Sequence, residues 1–175
     1  NNVTSAATVS VSFCEPGSVT IGGGGGAGSF AMIGNGGGVG SYTRNGNVTI
    51  TDFSGVTLTG GSGADGFAQI GNGGISGSGA ITSNVSLTGS GNVGVNAGSS
   101  TGTFARIGSG GRAHTGAISG TTAVTTVGSI ALAGGSNTDA FAQIGAGGSG
   151  SVGAANALTS STTVTTTGGG LSMLG

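Results

Sequence analysis

Apolar and small polar residues alternate along this chain in short runs. Val9-Ser10-Val11-Ser12-Phe13, Val48-Thr49-Ile50-Thr51 and Val56-Thr57-Leu58-Thr59 each place an apolar side chain at every second position. A period of two over four or five residues is that of a half-buried β-strand, apolar side chains inward and hydroxyls outward. The strands at 48 and 56 start eight residues apart and are joined by Asp52-Phe53-Ser54-Gly55, which reads as a corner. A turn at 60–66 then leads to a third strand, Phe67-Ala68-Gln69-Ile70, followed at once by Gly71-Asn72-Gly73-Gly74.

That third strand and its glycines form a phrase that occurs four times, with Phe30, Phe67, Phe104 and Phe141 separated by 37 residues each time. The isoleucines close the strand at the same spacing, as Ile33, Ile70, Ile107 and Ile144. The alternating strands keep the same period: Phe13, Ile50, Leu87 and Val124 in the first arm, and Ile21, Leu58, Val95 and Leu132 in the second. A period that does not drift marks one supersecondary unit stacked on itself. Three strands per unit, separated by 8, 11 and 18 residues, predict an all-β fold, a parallel β-helix or β-solenoid with about three strands per 37-residue coil. Each coil then rises by the interstrand distance of about 4.7–4.9 Å, and the columns named above are its candidate core.

The chain reads as one array over residues 1–175, with a partial repeat at 1–29 and further repeats at 30–66, 67–103, 104–140 and 141–175. In the last repeat Ala157-Leu158-Thr159-Ser160 resembles Ala80-Ile81-Thr82-Ser83 but falls three residues late. An insertion in the return arm, between the glycine phrase and the next first arm, explains that shift without breaking the stack. Within the phrase, Ala and Ile are the same in all copies, whereas Met32, Gln69, Arg106 and Gln143 vary between them and are expected to face solvent. Alternation then puts Phe on the outer side too, so either the return arm folds back across the rings or Phe sits at a corner.

Composition narrows the possibilities. Of 175 residues 45 are glycine, three are Arg and four are Asp or Glu, for a net charge of −1. This offers no basic footprint for nucleic acid, and its low charge argues against an expanded disordered chain. No run of about 18–20 apolar residues is present to span a membrane as a helix. The single Cys14 is read as a small buried or turn residue, with an intermolecular disulfide as the alternative.

The phrase Phe67-Ala68-Gln69-Ile70-Gly71-Asn72-Gly73-Gly74, preceded by Val-x-Leu-Thr-Gly-Gly-Ser-Gly, resembles repeats of large bacterial surface proteins related to filamentous haemagglutinin. Those repeats often carry His where this chain has Asn35, Asn72, Ser109 and Ala146. The resemblance implies a right-handed parallel β-helix at the cell exterior, serving in adhesion or as a structural fibre. It carries over no binding residue, because such proteins share a scaffold more than a site.

Chemistry has few candidates. Gly60-Gly61-Ser62-Gly63-Ala64-Asp65-Gly66-Phe67-Ala68 fits the calcium nonapeptide of repeats-in-toxin proteins, but a calcium roll needs six to eight oxygens from successive turns. Here the equivalent stretches supply Asp139 in one further repeat and no carboxylate in the other two, so a turn held by the Asp side chain is the better reading. His114 reads as a solvated loop residue near Arg112, and the acids are too scattered for acid–base or nucleophilic catalysis. Neither metal nor cofactor is expected, and the chain is not read as an enzyme.

A threonine face could bind ice, yet the outward residues Ser12, Thr49, Ser86, Ala123 and Thr20, Thr57, Gly94, Ala131 form no regular threonine ladder at the 37-residue register. Asn2, Asn47 and Asn84 head glycosylation sequons, and Asn47 and Asn84 occupy equivalent corners, where an asparagine ladder is the structural alternative. The expected role is therefore mechanical: an extracellular or cell-surface solenoid fibre or adhesin stalk, polymerising end to end through uncapped coils. The alternative is an adhesin that meets a cell-surface or matrix ligand through the variable return arm at 38–44, 75–83 and 112–119.

Overall fold

The alternating runs form strands where the pattern predicts them, and the strands stack on their own equivalents one repeat later. The computed structural model describes residues 4–150 and 157–175, and these fold as a β-solenoid of about four coils with every strand pairing parallel. The first and second arms merge into one bent strand in Val9–Gly22, Val48–Thr59 and Val85–Asn96, then separate into Ile118–Thr126 with Ile130–Ala133 and Leu158–Thr166 with Leu171–Leu174. The phrase strands Phe30–Ile33, Phe67–Ile70, Phe104–Ile107 and Phe141–Ile144 make a second sheet. The glycines after them make a third, Gly36–Gly37, Gly73–Ile75 and Gly110–Arg112, so a coil has more than three strands.

Register follows the 37-residue period through the middle coils, with Phe30 opposite Phe67, Phe67 opposite Phe104, and Phe104 opposite Phe141. The first coil corrects one column. Val11, not Phe13, pairs with Ile50, and the column continues through Leu87, Val124 and Val164. The cause is at the corner: residues 13–16 loop out between Ser12 and Gly17, where Asp52 alone stands between their partners Thr51 and Phe53. Phe13 thereby becomes a half-buried corner residue packed on the core. In the last coil Leu158 pairs with Ile118 and Leu171 with Ile130, the three-to-four-residue delay expected from an insertion. Part of that insertion lies at 151–156, outside the described residues.

The interior has two compartments, divided by the phrase strands. One is apolar: Ile50, Leu58, Leu87, Val95 and Val124 from the first and second arms pack against Ala68, Ile70, Ala105 and Ile107, all fully buried. Ile33, Leu132 and Ile144, nearer the ends of the stack, are partly buried against the same cluster. Phe30, Phe67, Phe104 and Phe141 point the other way and stack face to face, with centroids 4.9, 4.6 and 5.0 Å apart and ring planes within 7° of parallel. The return arm folds back over them, for a Cβ on Gly37 would run into the Phe30 ring.

The fold-back overturns the expectation for the residue between Ala and Ile. Gln69 and Arg106 are fully buried, not solvent-facing, because the glycine strand covers that side of the sheet as well. Their donors meet one set of carbonyls, which the glycine bend supplies in its own coil and in the next. Gln69 Nε2 donates to Asn72 O (3.2 Å), Gly108 O (3.0 Å) and Gly110 O (3.2 Å). Arg106, 37 residues on, donates to Ser109 O (2.7 Å), Gly145 O (2.6 Å) and Gly147 O. A buried carbonyl without a donor costs about 1–3 kcal/mol, so Gln69 and Arg106 each staple their own coil to the next, which Met32 in the first copy cannot do.

Glycine is required in the bend for a local reason. Gly71, Gly73 and Gly74 have φ of +132°, +137° and +120°, and all the equivalents in the other three copies are positive as well. A side chain there would be strained, and a Cβ on Gly73 would strike the carbonyl of Gly110 in the coil above.

Candidate functional site

The outward face of the first arm is the most regular surface of the molecule. Corrected for the first-coil register, Ser12, Thr51, Thr88, Thr125 and Thr165 form one column, and Ser10, Thr49, Ser86, Ala123 and Thr163 form the next. Strand geometry spaces hydroxyls about 4.8 Å apart along a column and roughly 6.7 Å between columns. A threonine ladder is thus present at Thr51, Thr88 and Thr125, themselves 37 residues apart but in a column other than the two weighed from the sequence, and Ser12 joins it in the first coil through the corner loop. Beside it runs the asparagine ladder: Asn47 Oδ1 accepts from Asn84 N (3.0 Å), and Asn84 Oδ1 accepts from Thr121 N (3.0 Å) and Thr121 Oγ1 (2.9 Å). Asn47 and Asn84 are exposed, whereas Asn2 lies outside the described residues. The second-arm column, Thr20, Thr57, Gly94, Ala131 and Ser172, loses its hydroxyls in the middle coils.

Another asparagine pair holds the bend. Asn35 N donates to Asn72 Oδ1 (2.8 Å), and Asn72 Nδ2 donates to Gly46 O (2.8 Å), tying the phrase to the corner before the first arm. Ser109 and Ala146 stand at these places in the later coils, and Ser109 Oγ is buried with no partner among the described residues.

The acids of the calcium-like stretch belong to an ion pair. Asp65 and Asp139 occupy left-handed turn positions, φ 60° and 58°, matched by Gly102 at 70° in the coil between. Arg112 reaches both, with Nη1 2.7 Å from Asp65 Oδ1 and Nη2 3.8 Å from Asp139 Oδ2. Two carboxylates in alternate coils are thus bridged by a cation, and no group of three or more potential metal ligands occurs among the described residues. Both acids do stand in turns, but their side chains meet other side chains, Arg112 for both and Ser149 Oγ (2.9 Å) for Asp139, and not the local backbone.

The return arm departs furthest from expectation. His114 is 1% exposed and Arg44 is fully buried, so neither offers its charge to a ligand at the surface. Desolvation lowers the His114 pKa to about 4, and Arg44 and Arg106 add to the effect, while a hydrogen bond that the ring donates to the Gly79 carbonyl opposes it. Burial also lowers the Arg106 guanidinium to about 9, leaving it a cation at neutral pH. No spacing in the sequence marks His114 as buried; the one signal is that its equivalent one coil earlier is Gly77. Cys14 is exposed at the first-coil corner, beside a shallow groove that Glu15, Pro16 and Asp52 also line, and not buried.

No helix among the described residues is long and apolar enough to cross a membrane. No family profile, curated protein or solved structure matches the chain.

Proposed function

We propose that this chain is a structural solenoid, a segment of an extracellular fibre or adhesin stalk whose work is to hold length and shape. The observation that carries this reading is that the same columns run from coil to coil: apolar on one side of the phrase strand, stacked rings on the other, with carbonyl staples from Gln69 and Arg106 in the middle coils. Stacked identical positions would set like charges one strand spacing apart, and few charges stand in these columns. The last coil presents Leu158, Leu171, Met173 and Leu174 at 50–72% exposure, an apolar surface that a further coil would cover. A second copy joined end to end would supply such a coil. Electron microscopy of the purified chain should show rods or fibres whose length grows with concentration. Compact single particles, with a stable monomer by sedimentation at high concentration, argue against polymerisation.

A second reading rests on the hydroxyl columns of the first arm. Residues 47–51, 84–88, 121–125 and 161–165 contain no charged side chain, and a flat periodic hydroxyl surface suits ice as a periodic ligand. Thermal hysteresis in solution would favour it, and Thr88→Tyr, which breaks the column without touching the core, should abolish that signal. The adhesin alternative loses its charged contacts with the burial of Arg44 and His114, and would have to use the exposed Val39, Ser76 and Ser78 of the return arm.

A further inference from the structure

Part of the return arm is held by isolated hydrogen bonds rather than by a strand ladder. Between Ile75 and Ile81, and again between Arg112 and Ile118, no residue belongs to a strand. Ser78 N donates to Gly40 O (3.0 Å) and Thr115 N donates to Gly77 O (2.7 Å), so each segment is tied to the coil below. Both segments begin on a residue in the left-handed region, Ser76 and Ala113 at φ 52°, where the equivalent in the last coil is Gly150 at 64°. A side chain at such a φ strains the backbone, so both segments close against a local penalty and are poised to open.

His114 is set into the upper segment, where the two preceding coils have Gly77 and Gly40. Its Nδ1 packs against Gly77, 2.8 Å from where a Cβ on that glycine would stand, and its Nε2 is buried with no partner among the described residues. The ring donates one proton to the Gly79 carbonyl. With Nε2 unpartnered, that proton is on Nδ1, and a second proton would go to Nε2, where no acceptor waits.

Nor does a counter-charge wait there. Arg44, fully buried, lies across Gly77 with Nη1 2.9 Å from the same Cβ position, and Arg106 approaches from the phrase strand. Tyr42 covers the Arg44 guanidinium at 4.2 Å. On His114's own arm, Arg112 is paired with Asp65 and Asp139, and the remaining acids, Glu15 and Asp52, line the corner between the first and second arms. An imidazolium here would be a third buried cation with no carboxylate beside it.

We propose that residues 113–117 are an acid-released latch: a proton on His114 frees this segment, together with 76–80 beneath it, while the first-arm strands stay paired. In the open form the imidazolium reaches water, and Arg44 beneath Gly77 is uncovered with it. Acid thus sets two cations at a surface that shows neither at neutral pH. Desolvation, with Arg44 and Arg106, holds the closed ring at about 4, against an ordinary 6.5 once it is in water.

The test is amide hydrogen exchange of the full chain by NMR, read as protection factors so that the intrinsic pH dependence is removed. Between pH 7 and pH 5 protection at Ser78 and Thr115 should fall roughly 20-fold, and that at 85–89 and 122–126 should stay unchanged. His114→Gly restores the residue of its column and should lose the pH response; His114→Gln, which keeps bulk without a titrating group, should lose it too. Arg44→Ile takes one cation from beside the ring and restores the residue that Ile81 and Ile118 carry in its column, so the response should shrink. An equal fall in wild type and either His114 variant overturns the proposal. So does a fall shared equally by the first arm, which would be global unfolding, or protection at Ser78 and Thr115 indifferent to pH.

Discussion

Replacing Phe67 by Ala tests whether the ring column holds the coils together or merely fills space. The Phe67 ring is fully buried and has a stacked neighbour on each side, at 4.9 and 4.6 Å. Truncating a buried Phe to Ala costs about 3–5 kcal/mol, and each stacked pair contributes about 0.5–1.5 kcal/mol beyond area burial. Phe67→Ala is therefore expected near the upper end, about 4–5 kcal/mol. Phe30 is the internal control, since it is 45% exposed and has a single stacked neighbour. Phe30→Ala should cost about half as much, on the order of 2 kcal/mol. Urea unfolding at neutral pH gives both values. Hydrogen exchange locates the damage, because each coil of a solenoid contacts only its neighbours and protection should fall first at 30–37 and 104–111. If Phe67→Ala fails to fold, Phe67→Leu keeps most of the volume without the stack and should fall between wild type and Phe30→Ala. Equal losses at Phe30 and Phe67, or a Phe67→Leu protein as stable as wild type, would refute the stacking argument.

Acid should weaken the fold through His114. Its folded-state pKa is about 4 against an ordinary 6.5, so as pH falls through that window the unfolded chain takes up the proton first and stability declines. The loss between neutral pH and about 4 is at most about 3 kcal/mol, and urea midpoints of His114→Gly should lack that portion of it. Gln69→Leu removes the donor shared by three carbonyls and should cost about 2–3 kcal/mol by urea unfolding, with no change in secondary structure by circular dichroism. Gly73→Ala meets both a φ of +137° and the Gly110 carbonyl, so expression of soluble, cooperatively unfolding protein should be lost. Gly38→Ala, where a Cβ meets nothing within 4 Å, should shift the midpoint by no more than about 0.5 kcal/mol.

The alternation of Val, Ile and Leu with Ser and Thr, and the unvarying interval between phenylalanines, determine the solenoid before any coordinate is known. A slip of one residue would turn an entire column outward, and a slip of one repeat would unpair every strand, so sequence alone sets the register of the middle coils. It also carries the asparagine ladder at Asn47 and Asn84, because equal corners repeat with equal residues.

Tertiary structure decided what lies on the second face of the phrase strand. A variable polar position such as Gln69 or Arg106 looks like a solvent position when one face alone is assumed to be buried. The return arm buries the other face, and its glycines hide the fact, since a residue without a side chain leaves no apolar pattern to read. The same cause concealed His114, whose burial depends on the emptiness of Gly77 one coil below. The corner loop hid only the first-coil end of the threonine column, since Thr51, Thr88 and Thr125 keep the 37-residue interval. Sequence periodicity reports contacts between equivalent positions; contacts between different columns, folded back across the coil, appear only when the chain is closed in three dimensions.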